Sequence, residues 1–281
     1  MKKILSIIKY EFSETIRRPK ILLVLFFIIL LYESDLSTIR DVYNETGLTL
    51  NVFEPFVLMC TRSVNIILIP LIFIILISDF PNCRTDYFRM IRISKRGWLV
   101  GEIGFIILLS FVMMLVLLIG TILPVLDISF TANNWSKFMT TLRENYFEIY
   151  NHNVRVTLEA SVMIHSLPIS ALVYSFLIMW LNLIIYGLLL LLGTVTSKRM
   201  VFLVSTLSLT FIGGCSTFFN SGIKWLFPIA HTQLGLHYNS IFSKINFPVY
   251  MTYIYLAAAV VVIVMLCGQL VKKTLFVGEE Q

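Results

Sequence analysis

Residues 103–126 read IGFIILLSFVMMLVLLIGTILPVL, and not one of these twenty-four positions is charged. A helix that crosses a bilayer needs about 20 consecutive, mostly apolar residues. This stretch therefore takes the chain out of the water-soluble class. Working outward, 167–197, 200–223 and 245–271 are equally free of charge, and 56–78 carries only Arg62 near one end. The whole chain agrees with its parts: 58% of its 281 residues are hydrophobic and 14% are charged. Soluble domains average about 45–50% and about 25%. The same composition excludes intrinsic disorder, which requires low hydrophobicity and high charge. The four cysteines, Cys60, Cys83, Cys215 and Cys267, are widely spaced and form no CxxC pair, so they suggest neither a disulfide framework nor a metal site.

A sixth apolar run, 21–32, has only 12 residues. By length alone it reads as interfacial or re-entrant. Charge placement decides otherwise, because Lys and Arg gather in short cytoplasmic loops. With six spans, the inner segments 1–20, 79–102, 197–200 and 271–281 hold 15 Lys and Arg against 7 acids. The outer segments hold 7 against 9. The net charge of +6 thus divides into +8 inside and −2 outside. If 21–32 did not span, the six positive residues of the N-terminal segment would face outward. A basic segment followed by a short apolar run also outlines a signal peptide. Here the basic segment is long and amphipathic, and no A-x-A-like site follows Tyr32. It is therefore read as an uncleaved span, with Glu33 and Asp35 at its outer mouth.

The expectation is an all-α membrane protein of a single transmembrane domain over 1–281. It has six transmembrane helices at about 20–36, 56–78, 103–126, 168–196, 200–221 and 248–270, with both termini cytoplasmic. The large extracellular loop at 127–167 is expected to form a small ordered cap. The segment before the last span carries Trp225, Pro228, His231, Gly235 and His237. It is too polar for lipid and too apolar for a free loop. It reads as a re-entrant pair of short helices, tolerated at membrane depth when buried in protein.

Residues 1–19 form an amphipathic interfacial helix. Ile4, Leu5, Ile8, Phe12 and Ile16 fall within about 120° of arc at helical spacing. Lys2, Lys3, Lys9, Glu14, Arg17 and Arg18 lie mostly on the other face. Such a helix lies in the membrane plane, apolar side down and basic side toward anionic lipid. Pro19 then turns the chain into the first span. The helix either anchors the topology or transmits motion.

The inner loop 79–102 places Tyr87, Met90, Ile91 and Trp98 among Arg84, Arg89, Arg92, Lys95 and Arg96. A short helix from Asp86 to Ile93 would put Tyr87, Met90 and Ile91 on one face. Exposed apolar side chains rimmed by charge mark a docking surface. The alternative is a loop whose apolar groups rest on lipid headgroups.

This layout resembles the ABC-2 class of ABC transporter permeases, the membrane subunits of bacterial drug and peptide exporters. The resemblance covers essentially the whole chain. It comprises the amphipathic helix ending in Arg17-Arg18-Pro19, six spans, a large second outer loop and a broken segment before span six. The loop resembles the family pattern in Asp79 at the end of span two, Tyr87-Phe88-Arg89-Met90, then Ser94-Lys95-Arg96 and Trp98. The family often has Glu where Asp79 stands and Lys near Glu102. The resemblance implies that Asp79, Asp86, Tyr87, Arg89, Met90, Arg92, Lys95, Arg96 and Trp98 form a coupling helix docked on an ATPase. It further implies two ATPase subunits and a second permease, as homodimer or heterodimer, surrounded by membrane lipids. Spans two and five line the path in similar permeases, which makes Arg62, Asn65, Ser208 and Thr210 the path candidates. The other reading of such residues is interhelical hydrogen bonding.

The chain has no G-x-x-x-x-G-K-[ST], so by that route it cannot cradle ATP phosphates. No cofactor is expected in the chain itself; ATP and Mg would be bound by the partner. Catalysis by the chain is not expected either. All four histidines, His152, His165, His231 and His237, fall in or beside outer loops, and Gly214-Cys215-Ser216 follows no strand as a nucleophile elbow would. Nucleic acid is not an expected partner, because the basic residues are spread over the inner loops. The expected function is the translocation path of an ATP-driven exporter for a hydrophobic or amphipathic peptide, antibiotic or lipid, in the bacterial cytoplasmic membrane. The other function kept open is a stand-alone membrane immunity or scaffold protein.

Overall fold

A computed structural model of the chain describes residues 2–79, 93–144, 158–219, 222–239 and 245–273. Its helices are α1 (Lys2–Arg17), α2 (Leu22–Leu31), α3 (Ser37–Thr46), α4 (Glu54–Thr61), α5 (Ser63–Ile77), α6 (Lys95–Ile122), α7 (Lys137–Glu144), α8 (Ala160–His165), α9 (Pro168–Val195), α10 (Arg199–Ser216) and α11 (Val249–Lys273). Five helical stretches are long and apolar enough to cross a membrane. A sixth is counted if the bent pair α4–α5 forms one span. The chain is an all-α membrane protein.

The bundle is built around α9. In its most apolar window 72% of residues are buried inside the protein, against 22% for α10 and for α11. Helix α9 accordingly packs on α11, α10, α6 and α4. Its start follows local rules: Pro168 occupies the first turn, where no backbone N–H is needed. Ser170 Oγ accepts a hydrogen bond from the Leu167 backbone. Close approach to α6 depends on Gly187, where an added Cβ would lie 2.5 Å from Ile106 Cγ2. Small residues let membrane helices approach in this way. The Gly213–Gly214 pair serves the same purpose on α10. Gly213 faces Phe227 and Ile229, and Gly214 faces Ile67 of α5.

The first span differs from its sequence reading. Residues 20–36 are expected from hydropathy, yet the helical stretch runs from Pro19 to Thr46. A π-turn at Tyr32–Leu36 joins α2 to α3, and Gly47, at φ +68°, ends the helix in the left-handed conformation. Hydropathy could not see α3, because its sequence STIRDVYNET is amphipathic, with Ile39 and Val42 buried. Arg40 of α3 donates to Asp127 at 2.8 Å and to the Pro124 carbonyl at 2.7 Å, just beyond α6.

The second span is broken. Helices α4 and α5 meet at 83°, and the break falls at Arg62, whose ψ of 127° is extended. All eight residues of α4 are buried, so it threads the protein rather than facing lipid. The remaining helices run 95–122, 168–195, 199–216 and 249–273, against expected spans of 103–126, 168–196, 200–221 and 248–270.

Two ends of the bundle can be told apart. The basic end carries Arg18, Asp79, Lys95 and Arg199. The opposite end carries the cap read from 127–167. There Leu50 and Asn51 (β1) pair in parallel with Ser129 and Phe130 (β2). Helices α7 and α8 complete the described part of the cap; 145–157 lies outside the described residues. The segment expected as two re-entrant helices instead forms three 3₁₀ turns, Gly222–Leu226, Pro228–Thr232 and Leu234–His237. Residues 228–235 are all buried.

Candidate functional site

At the basic end, four chain segments meet on one carboxylate. Asp79, just past α5, accepts from Arg18 at 3.0 Å and Lys20 at 2.6 Å. Arg18 also pairs with Glu14 of α1 at 2.7 Å. Lys20 reaches Ser78 Oγ at 3.0 Å. Arg199, at the start of α10, donates to the Ser78 carbonyl. The clasp thus joins the end of α1, the start of the first span, the end of α5 and the start of α10. Pro19 makes it possible: it ends α1 and turns the chain between the two cations.

Burial works against ionising Asp79, but the hydrogen bonds and charges of Lys20 and Arg18 outweigh it and hold the carboxyl below its ordinary value. A lowered carboxylate pKa contributes stability above the unfolded-state pKa, and that stability is lost as pH falls through the folded value. The Asp79 side chain is 42% exposed, so solvent screening keeps its contribution to about 1 kcal/mol or less. Asp79→Asn is expected to melt below wild type at neutral pH. The gap should close as pH falls below about 4. Melting curves across pH check this, and a gap that persists in acid would refute it.

Helix α1 meets the bundle on a stripe other than its apolar arc. Ile7, Glu11 and Thr15 are buried and α1 packs along α6. Gly101 and Gly104 receive Ile7 and Ile8 there; an added Cβ would lie 2.9 Å and 2.7 Å from their Cδ1 atoms. Ile4, Ile8 and Phe12 are half-buried, while Leu5 and Ile16 stay exposed. The helix therefore has three faces: one on protein, one apolar and free, and one polar with Arg17.

Of the docking-loop residues, Asp86, Tyr87, Arg89, Met90 and Arg92 lie outside the described residues, as does Cys83. Lys95 is half-buried and Arg96 exposed. Trp98, read as an exposed docking group, is fully buried. The reason is helical phase. Helix α6 starts at Lys95, and Trp98 shares a face with the buried Glu102, Phe105 and Leu109.

In the bundle interior, Arg62 forms an ion pair with Asp35. Asp35 sits in the π-turn and its side chain is 5% exposed; it is not at an outer mouth. Asn65 and Thr210 are buried, but Ser208 faces outward with Ser205 and Cys215. The structure therefore does not bring the four path candidates to one lumen-facing surface. Thr210 donates to the Thr206 carbonyl at 2.9 Å, and Thr206 to that of Phe202 at 2.7 Å, which spends both hydroxyls on their own helix. Tyr186, unnoticed in the sequence, sets its hydroxyl beside Thr210 and Asn182. Its i, i+4 spacing from Asn182 was the available signal.

At the opposite end, Trp225, His231, His237 and Phe247 stack into one aromatic cluster. Trp225 lies 4.5 Å from Phe247 and 5.0 Å from His237. His231 Nε2 faces the Trp225 carbonyl at 2.9 Å, which makes it the protonated nitrogen, and Nδ1 faces Thr252 Oγ1 at 3.0 Å. Burial foremost pushes His231 down to about 4, with His237 adding to the fall and the Trp225 carbonyl opposing it. Beside this cluster, an open groove of about 500 Å³ runs between the starts of α9 and α11.

Comparison of the chain with protein-family models, with curated proteins and with solved structures returns no match.

Proposed function

We propose that the chain is the membrane subunit of an ABC-2-like exporter. It spans the bacterial cytoplasmic membrane six times with both termini inside. It works as a pair of permeases with two copies of a separate ATPase subunit, which bind ATP and Mg. Its cargo is a hydrophobic or amphipathic peptide, antibiotic or lipid. The observation that carries this reading is the clasp on Asp79. A force applied to loop 79–102 reaches α1, the first span and α10 through Asp79, Ser78 and their cationic partners. That is the linkage a loop-docked ATPase needs to tilt several spans together. A ligand-driven change also needs different contacts in two states. Partly exposed ion pairs are weak enough to exchange between them. The outward face of α10, with Ser205, Ser208 and Cys215 among apolar residues, suits contact with a second permease.

The test is co-purification with the ATPase encoded beside it, followed by export assays in proteoliposomes. Met90→Asp combined with Arg92→Glu is expected to abolish both co-elution and ATP-coupled export while leaving the melting temperature unchanged. Normal coupling in that variant refutes the docking assignment. A wild-type chain that recruits no ATPase favours the immunity or scaffold reading.

A further inference from the structure

The groove at the opposite end is independent of how transport is powered. Its wall carries His165, Ser170, Tyr174, Tyr238, Tyr250 and Tyr253. At about 500 Å³ it falls in the range of small-ligand sites, about 300–1,000 Å³. His165 stacks on Tyr238 at 4.5 Å with the rings 8° apart, which fixes both side chains. The phenols of Tyr174 and Tyr238 lie close enough to that of Tyr253 to interact with it electrostatically. The Tyr253 hydroxyl is itself out of water and without a hydrogen-bond partner. A buried hydroxyl left unpaired costs free energy, so one that persists calls for a bound group.

The electrostatics select the class of that group. No Lys, Arg, Asp or Glu is among the described lining residues. The field comes instead from two long helices that begin at the groove. Leu167 and Ser170 belong to the first turn of α9, and Pro248 and Val249 to that of α11. Neither first turn holds an acid, so both positive dipole ends act unopposed on the groove. Two dipole ends with phenol and serine hydroxyls as donors suit an anion with several acceptor oxygens. Leu167, Ile245 and Tyr250, which also line the groove, are themselves exposed on the apolar flank of the bundle. An occupant would therefore extend from a polar head into lipid.

We propose that this groove binds the phosphate of a membrane phospholipid, with its acyl chains along the apolar flank of α9 and α11. Native mass spectrometry of the purified full-length chain, with added phosphatidylglycerol, diacylglycerol, glycerol phosphate or dodecyltrimethylammonium, tests it. Phosphatidylglycerol adducts are expected on wild type, and at least about tenfold weaker binding in the combined Tyr174→Phe, Tyr238→Phe, Tyr253→Phe variant, as befits lost hydrogen bonds to a charged group. These substitutions keep the rings, and Ser170→Ala is a second, smaller probe should that variant fail to fold. Diacylglycerol binding as well as phosphatidylglycerol overturns the role of phosphate. Glycerol phosphate binding as well overturns the lipid. Preference for the ammonium amphiphile, or undiminished binding in the variants, overturns the site.

Discussion

Replacing Asp35 alone with leucine is expected to lower stability by about 3–5 kcal/mol, the cost of stranding one partner of a buried ion pair. Arg62 is then left at the break between α4 and α5 with no carboxylate opposite it. Arg62→Met alone should cost a similar amount, because Asp35 is nearly closed to solvent. The double variant Asp35→Leu, Arg62→Met should recover most of either loss. Apolar residues of similar volume often replace a buried pair at little cost, since neither charge must then be desolvated. Thermal melting in detergent measures all three. Singles that melt like wild type would show that water reaches the pair. A double as unstable as the singles would show that the charges themselves shape the π-turn and the 83° bend.

The second large effect is expected at Glu54, the first residue of α4, which has no exposed surface. Its carboxylate accepts from the Asn51 backbone at 3.0 Å, the Ser136 backbone at 2.7 Å and Ser136 Oγ at 2.7 Å. One side chain thereby fastens β1 and α4 to the start of α7, the seam that holds the cap on the bundle. Glu54→Ala leaves these donors buried and unmet, at about 1–3 kcal/mol for each unsatisfied group. A total loss of about 4 kcal/mol is expected. Glu54→Gln should lose less, because one oxygen remains as acceptor. Limited proteolysis separates local from global damage: cleavage within 127–167 should rise in Glu54→Ala well below its melting temperature. Cleavage unchanged from wild type would remove Glu54 from the seam.

These two positions mark the boundary of what periodicity and hydropathy can reveal. Both are acids, and in the sequence both read as loop charges near a membrane surface. Burial of a carboxylate is stabilised by partners distant in the chain: Arg62 for Asp35, and Ser136 for Glu54. No local pattern announces such a partner. Trp98 shows the converse. Its neighbours Lys95 and Arg96 made it look exposed, but helical phase turns it into the core beside Glu102 and Phe105. Asp79 was legible as a marked acid at the end of the second span. Its cationic partners Arg18 and Lys20 were legible only as topology signals.

The sequence by itself determined the all-helical membrane class and where most of the long apolar helices lie. Lipid demands long apolar runs with internally satisfied backbones, and such runs are visible one residue at a time. The tertiary structure decided the rest. It extends the first helix through a π-turn to Thr46, bends the second span at Arg62 and buries α9 at the centre. It also draws Arg18, Lys20 and Arg199 together at Asp79 and Ser78, and gathers the tyrosine groove where α9 and α11 begin. Those features arise from side chains far apart in the chain, whose pairing energies exist only once the helices have packed.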